Sequence, residues 1–380
     1  MKKTIYALLG ACVMSAGQAF GQSQISGTLA GVESDTILIQ SSVVGDRSSS
    51  RRDTIALQNG KFALDLPGDK VLKQVYIYPK PVIRADGKQA ALMMTGPNFI
   101  LLPDKPVIVE GTLFDYKISG SPFYDDCNEV ANDCKVYYAK LDSLTRLCID
   151  MEERGVQADS IRKTYAPSRA WMKSMQQLKS DYIKQHPDKD ACVFLMSQMS
   201  LENMGKAIDI IDESVKTGVM APMYQWLKAA YDKEMTRKKA KEMMAPGNPA
   251  PEFTLKDLEG KDFSLSSLKG KYVILDVWGS WCGWCIKGIP ELKQAYEKYK
   301  GKVEIVGVDC NDTEKKWKDA VAQYQLPWIN VRNAGEPDVS IMYGISGYPT
   351  KCVIDPEGKI VKVAVGEDPA FYTLLEELFK

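Results

Sequence analysis

The sequence predicts an α/β domain at its C-terminal end, preceded by a β-rich domain and a helical region. Three observations lead to this fold class: apolar runs of period two in the first third, helical spacing rich in Lys and Glu in the middle, and strands alternating with helices after residue 251. The 380 residues suffice for two or three domains. We expect a β-rich domain over 22–120, a helical region over 121–244, a linker over 245–251 and the α/β domain over 252–380.

The composition excludes several classes of protein. Lys and Arg number 49, as do Asp and Glu, so the net charge is zero. A neutral chain is a poor partner for nucleic acid, because phosphate binding requires a cationic surface. The single histidine, His186, argues against His-rich metal sites. We therefore expect no metal, no cofactor and no nucleic-acid partner.

The N-terminal residues have the pattern of a secretory signal peptide. A positive start at Lys2 and Lys3 is followed by a short apolar stretch and small residues, which predicts a signal peptide over 1–21 with cleavage after Gly21. An alternative is a lipoprotein box ending at Cys12, which would tether the mature protein at that residue. Both interpretations place the rest of the chain in the periplasm or cell envelope, an oxidising space where disulfides persist.

Alternating apolar residues in the first third predict an antiparallel β-sandwich or barrel. The clearest runs are 36–40, 61–66, 74–78 and 106–111. Asn59-Gly60 is typical of a hairpin turn, whereas the polar residues 47–53 suggest a loop.

The helical region contains four cysteines. Cys127, Cys134 and Cys148 are separated by 7 and 14 residues, which places them on one face of a continuous helix. We expect buried thiols here; a bridge from one of them to Cys192, or a bridge between helices, is the alternative.

After the Pro- and Gly-rich segment 245–251, strand and helix candidates alternate. The strand candidates are 252–255, 272–278, 303–308, 351–354 and 360–363, and the helix candidates are 284–300, 314–324 and 369–378. Cys310 and Cys352 fall on or just after strands, and we expect both to be buried, reduced thiols.

The clearest motif is Trp281-Cys282-Gly283-Trp284-Cys285, directly after the apolar run that ends at Trp278. A Cys-x-x-Cys at a strand-to-helix junction is a redox signature. The positive end of the helix stabilises a thiolate at the first cysteine, and the second lies one turn away, within reach of a disulfide. We expect an exposed first sulfur that attacks and a shielded second sulfur that resolves.

Residues around this motif resemble thioredoxin, and more closely the exported thioredoxin-like oxidoreductases of the TlpA/ResA type. Asp276 precedes Cys282 by six residues, as does the family's buried acid, and Pro290 follows it by eight. The segment 344–350 matches the family's cis-proline loop, so Pro349 should be cis. The resemblance covers Pro249–Lys380, and the part before it resembles the N-terminal module of similar proteins in Bacteroides-type bacteria.

The resemblance implies a role for each residue of the site. Cys282 and Cys285 would form the redox-active disulfide, with Cys282 attacking and Cys285 resolving. Asp276 would relay a proton to or from Cys285, and a purely structural buried acid is the alternative. Tyr348 and Pro349 would bind a substrate backbone. Trp281, beside the site, and Trp284, between the cysteines, would complete the substrate-binding set.

Two departures from thioredoxin affect the mechanism. Gly283-Trp284 replaces the Gly-Pro of reducing thioredoxins, which leaves the direction of electron flow open, with reduction favoured. The position of the lysine that accompanies the thioredoxin acid is taken by Ile305, which leaves the route of the proton open.

The leading hypothesis is therefore an exported thiol-disulfide oxidoreductase, an enzyme that acts on protein cysteines. By resemblance it would draw electrons from a membrane donor of the DsbD or CcdA type, with roles such as cytochrome c biogenesis or redox homeostasis. The alternatives are a binding or adaptor protein with a vestigial redox domain, and a peroxiredoxin-like peroxidase. The peroxidase would need a threonine at position 279, which is glycine. A metal module would need more ligands than the two clustered cysteines.

Overall fold

A computed structural model describes residues 23–32, 34–66, 70–79, 96–336 and 338–379. The predicted signal peptide and the predicted tether at Cys12 lie outside the described residues. The chain divides into two compact units, and the boundary along the sequence lies between Ala229 and Ala230. The predicted domain boundaries stay a prediction, and each unit is described by itself.

The described residues of the N-terminal unit begin with eight strands in two four-stranded sheets, ordered β4-β1-β7-β8 and β3-β2-β5-β6. The strands are β1 (Ser23–Leu29), β2 (Thr36–Val43), β3 (Arg51–Ala56), β4 (Lys61–Leu66), β5 (Lys73–Pro79), β6 (Asn98–Leu101), β7 (Val107–Gly111) and β8 (Tyr116–Ser119). Their side chains alternate as the sequence predicts. In β7, Val107 and Val109 are fully buried, whereas Ile108 between them is exposed. The β-rich prediction is confirmed.

Two local predictions about this region were wrong. β1 and β7 pair in parallel, with Ile25 opposite Val107, so the sheets are not purely antiparallel. A parallel neighbour becomes available because a long connection separates the two strands in the chain. Residues 51–53, expected in a loop, instead begin β3. Their polarity fits an edge strand, since β3 pairs only with β2 within the described sheets.

The turn at Asn59-Gly60 is confirmed. Both residues have positive φ, 53° and 76°. The backbone groups of Gln58 and Lys61 bond to each other in both directions, at 2.9 and 3.0 Å. Glycine adopts this conformation without steric cost, as a tight two-residue turn requires.

Seven helices follow, as the helical spacing predicts. They are α1 (Pro122–Glu153), α2 (Ala158–Tyr165), α3 (Ser168–Gln185), α4 (Ala191–Met196), α5 (Leu201–Ile210), α6 (Glu213–Thr217) and α7 (Ala221–Met243), and the division between the units falls within α7. No helix in the described part of the chain is both long and apolar enough to span a bilayer.

The cysteines of the helical region are free thiols. Cys127, Cys134 and Cys148 lie on the single continuous helix α1, and Cys192 lies on α4. Cys134 and Cys192 are fully buried, whereas Cys127 and Cys148 are partly buried. All four are free thiols, as expected, but of the three on α1 only Cys134 is buried, so the expected burial is wrong for Cys127 and Cys148. The alternative bridges are absent among these residues.

The C-terminal unit is built on one seven-stranded mixed sheet, ordered β10-β9-β13-β12-β11-β14-β15. Its strands are β9 (Thr254–Asp257), β10 (Asp262–Ser264), β11 (Tyr272–Trp278), β12 (Val303–Cys310), β13 (Ile329–Asn333), β14 (Thr350–Ile354) and β15 (Ile360–Val365), and its helices are α8 (Gly283–Lys298), α9 (Glu314–Gln323), α10 (Val339–Met342) and α11 (Pro369–Leu378). The predicted α/β fold, a mixed sheet flanked by helices, is confirmed. The short elements β10, β13 and α10 were not predicted.

Each face of this sheet has its own apolar core. β11 lies at the centre, parallel to β12 and antiparallel to β14. Ile274 and Trp278 point to the face covered by α8, α9 and α11, with Leu292, Trp317 and Leu375 from those helices. Leu275 and Val277 point to the other face, against Leu265 and Val339. Strand β11 is therefore buried on both faces, which explains its continuous apolar run.

The segment predicted as a linker is hydrogen-bonded to this unit. Gly247 donates to the carbonyl of Ile360 at 2.7 Å, and Ile360 donates to Asn248 at 2.8 Å. Ala250 donates to Gly358 at 2.9 Å. Residues 247–250 therefore run along the start of β15.

Leu375→Ala tests the packing of α11 against the sheet. Leu375 is fully buried. Truncation leaves a cavity, and we expect the free energy of unfolding to fall by about 2–5 kcal/mol. Urea denaturation followed by fluorescence of the buried Trp278 and Trp317 measures it. The control is Glu377→Ala on the exposed side of α11, expected to stay within about 0.5 kcal/mol of wild type. Equal losses in both variants would contradict the assigned core.

Candidate active site

The two cysteines of the motif form a disulfide at the start of α8. Their Cα atoms are 5.2 Å apart. Cys282 is the N-cap of α8, and its sulfur accepts a hydrogen bond from the backbone N–H of Cys285 at 3.1 Å. The N–H groups of the first helical turn lack partners within the helix and carry partial positive charge. This geometry favours a thiolate at Cys282 once the bond is reduced.

Exposure does not distinguish the two cysteines in this oxidised state. Cys282 is 6% exposed and Cys285 is 5% exposed. The expectation of an exposed first sulfur and a shielded second sulfur is therefore wrong for the disulfide form, in which both residues belong to the core beneath α8.

Aromatic side chains flank the disulfide. Trp281 and Trp284 are 52% and 65% exposed. The indole of Trp281 donates to the carbonyl of Cys310 at 2.9 Å and meets the ring of Tyr348 edge-on, with centroids 5.1 Å apart. The ammonium of Lys287 lies 4.7 Å from the ring centroid of Trp284. The site thus presents two large apolar surfaces to solvent, one of them fixed by a hydrogen bond.

The loop between α10 and β14 contains the expected cis peptide. The Tyr348–Pro349 bond is cis, as predicted. The carbonyl of Pro349 accepts a hydrogen bond from Gly366 at 2.7 Å. Among the described residues, the backbone N–H and C=O of Tyr348 take part in no backbone hydrogen bond. This backbone edge is therefore available to a peptide.

Asp276 lies in the middle of β11 and is 7% exposed. Its neighbour across the sheet on β14 is Lys351, whose ammonium lies 3.9 Å from the Asp276 carboxylate. Burial raises the pKa of Asp276 to about 6, against an opposing effect of Lys351. At neutral pH this carboxyl group is therefore close enough to its pKa to exchange a proton.

Sequence reasoning missed Lys351 and Glu367. Ile305 does not face the acid, because it lies opposite Ile274, while Gly307 lies opposite Asp276 on β12. The lysine comes from β14 instead, and its ammonium donates to the carboxylate of Glu367 at 2.7 Å. A lysine inside the apolar run of β14 was the available signal, since a buried ammonium requires an acidic partner.

A further acid, Asp312, supports the loop before Cys282, and the buried Asp309 interacts with it. The carboxylate of Asp312 accepts from the backbone N–H of Ser280 at 2.7 Å and from its hydroxyl at 2.9 Å. Asp309 is fully buried, and burial together with the carboxylate of Asp312 raises its pKa to about 8. Asp312, which sequence reasoning also missed, therefore fixes the position of Ser280, two residues before Cys282.

The described residues contain no group of three or more His, Cys, Asp or Glu side chains arranged to hold a metal ion. Cys310 and Cys352 are buried free thiols on β12 and β14, with β11 between them, as predicted.

Asp276→Asn tests the titration of the buried acid. A native pKa of about 6, above the ordinary 3.8, means that the unfolded chain releases this proton first as the pH rises. As the pH rises from 4 to 6, Asp276 therefore lowers the free energy of unfolding of the wild type, by a total of about 3 kcal/mol. The amide does not titrate, so the stability of the variant relative to wild type should rise by that amount from pH 4 to pH 8. Urea denaturation of the oxidised proteins measures it, and a difference independent of pH would contradict the assignment.

Comparison with known proteins identifies relatives of the C-terminal unit. Residues 246–363 match the AhpC/TSA family. The chain is 41% identical over 128 residues to the thiol-disulfide oxidoreductase ResA of Bacillus anthracis, an alignment that covers 33% of this chain and 73% of that protein. It is 38% identical over 127 residues to ResA of Bacillus subtilis, covering 33% and 70%.

Among solved structures, the thioredoxin domain of a thiol-disulfide oxidoreductase from Bacteroides vulgatus is 36% identical. That match covers 36% of this chain and 99% of the domain, with a TM-score of 0.34. Identity of about 40% across more than two thirds of the ResA proteins assigns the family. The chain belongs to the ResA family of thioredoxin-like thiol-disulfide oxidoreductases.

Proposed function

We propose that this chain is an exported thiol-disulfide oxidoreductase that reduces disulfides in proteins through Cys282 and Cys285. The observation that carries the proposal is the disulfide at the first turn of α8, with Cys282 as the N-cap. The buried acid Asp276 on the preceding strand supports it, since thiol-disulfide exchange needs protons to be removed and supplied.

The exchange proceeds in two balanced steps. The Cys282 thiolate attacks one sulfur of the client disulfide; a mixed disulfide forms, the client bond breaks, and one client thiolate leaves. The Cys285 thiolate then attacks the sulfur of Cys282, which closes the internal disulfide and releases the second client thiolate. Two electrons pass from the protein to the client, and the two client thiolates take up protons equal in number to those that the two cysteines lose.

The surrounding residues serve these steps. Asp276 accepts the proton of Cys285 as that thiol becomes the attacking thiolate. The backbone of Tyr348 binds the client chain as an added strand, with Pro349 fixing the loop. Trp281 and Trp284 contact the client on either side of the sulfurs, where their exposure supports such a role.

Reduction as the direction, and export as the location, follow from the resemblance to TlpA/ResA-type proteins and from the predicted signal peptide. A reductant in an oxidising compartment must regain two electrons after each turnover. We assign this task to a membrane donor of the DsbD or CcdA type, and the clients to envelope proteins such as those of cytochrome c biogenesis.

A peroxiredoxin-like peroxidase is disfavoured by the site itself. Position 279, where that activity needs a threonine, has no room for a side chain. A Cβ there would overlap the indole nitrogen of Trp281 and lie 2.9 Å from the carbonyl oxygen of Cys310. The adaptor alternative is disfavoured by an undamaged pair of cysteines and by a buried acid on the strand before them.

Cysteine variants test the proposed chemistry. Cys282→Ser removes the attacking sulfur, so we expect reduction of insulin by the dithiol-treated protein to fall to the background rate. Cys285→Ser leaves the mixed disulfide unresolved, so incubation with oxidised envelope proteins should give adducts on non-reducing gels that disappear with dithiothreitol.

Cys148→Ser, a partly buried thiol on α1, is the matched control and should keep the wild-type rate. A wild-type rate in Cys282→Ser would end the enzyme proposal. Adducts absent from Cys285→Ser, with the folded protein present, would favour the adaptor.

The reduction potential of the Cys282–Cys285 couple tests the direction. A reductant should have a potential near about −270 mV, and an oxidant near about −120 mV. Equilibration of the full chain with glutathione or dithiothreitol buffers, read by alkylation of free thiols, measures it. The buried thiols such as Cys352 give a constant background. A value near the upper figure would reverse the proposed direction and leave exchange itself intact.

A further inference from the structure

Two buried ionisable side chains and one that is partly buried lie together in the C-terminal unit. Asp276 on β11 is 7% exposed, and Lys351 on β14 is 2% exposed. Glu367, in the segment between β15 and α11, has a side chain that is 19% exposed. Ionised together, they would leave one uncompensated negative charge in a site from which water is largely excluded.

Lys351 is shared unequally between the two acids. Its ammonium donates to Glu367 at 2.7 Å but lies 3.9 Å from the nearer oxygen of Asp276. That oxygen of Asp276 is buried and has no hydrogen-bond partner among the described residues. The lysine is therefore paired with Glu367 and acts on Asp276 only as a nearby charge.

The side chain of Glu367 also packs against α8, the helix that begins with the two cysteines. Its carboxylate lies over Gly288, three residues after Cys285 on α8, and a Cβ at that position would overlap the carboxylate oxygens. The backbone does not require a glycine at position 288, since this residue lies within α8 and is not among the glycines with positive φ. The room that it leaves is occupied by the end of the Glu367 side chain.

We propose that Glu367 is a positioning residue of the redox site, which holds Lys351 away from Asp276 and so keeps Asp276 able to take and return the proton of Cys285. This inference rests on the function proposed above. A lysine bonded directly to Asp276 would fix that acid as a carboxylate, because an adjacent ammonium strongly favours the charged form. Because Glu367 compensates the positive charge of Lys351, burial favours the protonated form of Asp276 instead.

The charges around Asp276 are consistent with this role. Burial raises its pKa, the charge of Lys351 lowers it, and the charge of Glu367 raises it again. On α11, Tyr372 has a pKa raised by burial and then by the carboxylates of Glu367, Glu291 on α8 and Asp276. Cys282 and Cys285 carry no charge in the disulfide.

The test is a direct titration of Asp276 in the oxidised full-length protein. The carboxyl carbon, labelled with ¹³C and assigned by its loss in Asp276→Asn, is followed by NMR against pH. Glu367→Gln frees Lys351, so we expect the Asp276 midpoint to fall by about one pH unit or more. Lys351→Met should move the midpoint in the opposite direction.

Gly288→Ala provides an independent variant that keeps all three ionisable groups. Its added Cβ displaces the Glu367 carboxylate, which sits at the end of a flexible side chain, and should lower the midpoint as Glu367→Gln does. Glu377→Gln, an exposed acid on α11, is the matched control and should leave the midpoint unchanged. An unchanged midpoint in both Glu367→Gln and Gly288→Ala would overturn the proposal.

A second readout separates this proposal from the proposed function. The rate at which the reduced protein reduces a disulfide peptide, measured against pH in single turnovers, should show an inflection that moves with the NMR midpoint in Glu367→Gln. A midpoint that moves while the rate profile stays fixed would refute the role of Glu367 in exchange. Loss of exchange in the wild type would refute the proposed function, whereas the NMR titration needs no client.

Discussion

The C-terminal unit depends on one constraint, the burial of β11 on both faces at the centre of the sheet. Its residues alternate between the two cores, so Asp276 must point to the same side as Ile274 and Trp278, which is the side of α8 and α11. The strand then ends at Trp278, and the chain turns through Ser280 to place Cys282 at the N-terminus of α8. A single strand therefore fixes both the acid and the sulfurs of the site, and a change in its register would separate them from the helices that cover them.

Burying Asp276 in the middle of β11 costs free energy of folding, and the neighbouring residues determine how large that cost is. A carboxylate surrounded by apolar side chains is destabilised unless it is paired or protonated. β14 supplies Lys351 directly across the sheet, but Glu367 accepts the lysine's hydrogen bond. Asp276 therefore has no close ion pair, and burial raises its pKa to about 6. A structural role for this acid would be served better by a close ion pair with Lys351, which the arrangement does not provide.

Strong local signals in the sequence predicted much of this unit. The Cys-x-x-Cys pair and the long apolar runs of β11 and β12 are visible in the sequence itself, and the resemblance to TlpA/ResA-type proteins pointed to Asp276 and to the proline of the cis bond. The elements that were missed are short or polar. β13 reads Ile-Asn-Val-Arg-Asn, and β3 begins with two arginines on an edge. Lys351 and Glu367 were missed for a different reason. Their partners are set by the pairing of β14 with β11 and by the position of the segment before α11, which are long-range features that no local pattern reports.

The distribution of exposure around the disulfide bears on how a client would be recognised. Both cysteines are buried in the oxidised state, while Trp281 and Trp284 are exposed and the backbone of Tyr348 forms no backbone hydrogen bond within the described residues. On the proposed function, a client chain is held by main-chain hydrogen bonds and by flat aromatic surfaces, neither of which selects strongly among side chains. Asp276 and Lys351 are buried, so on the proposed function they take no part in the contacts with the client. Binding and proton exchange are thus assigned to different sets of residues, so the tuning of Asp276 by Glu367 can change without altering which proteins the site accepts.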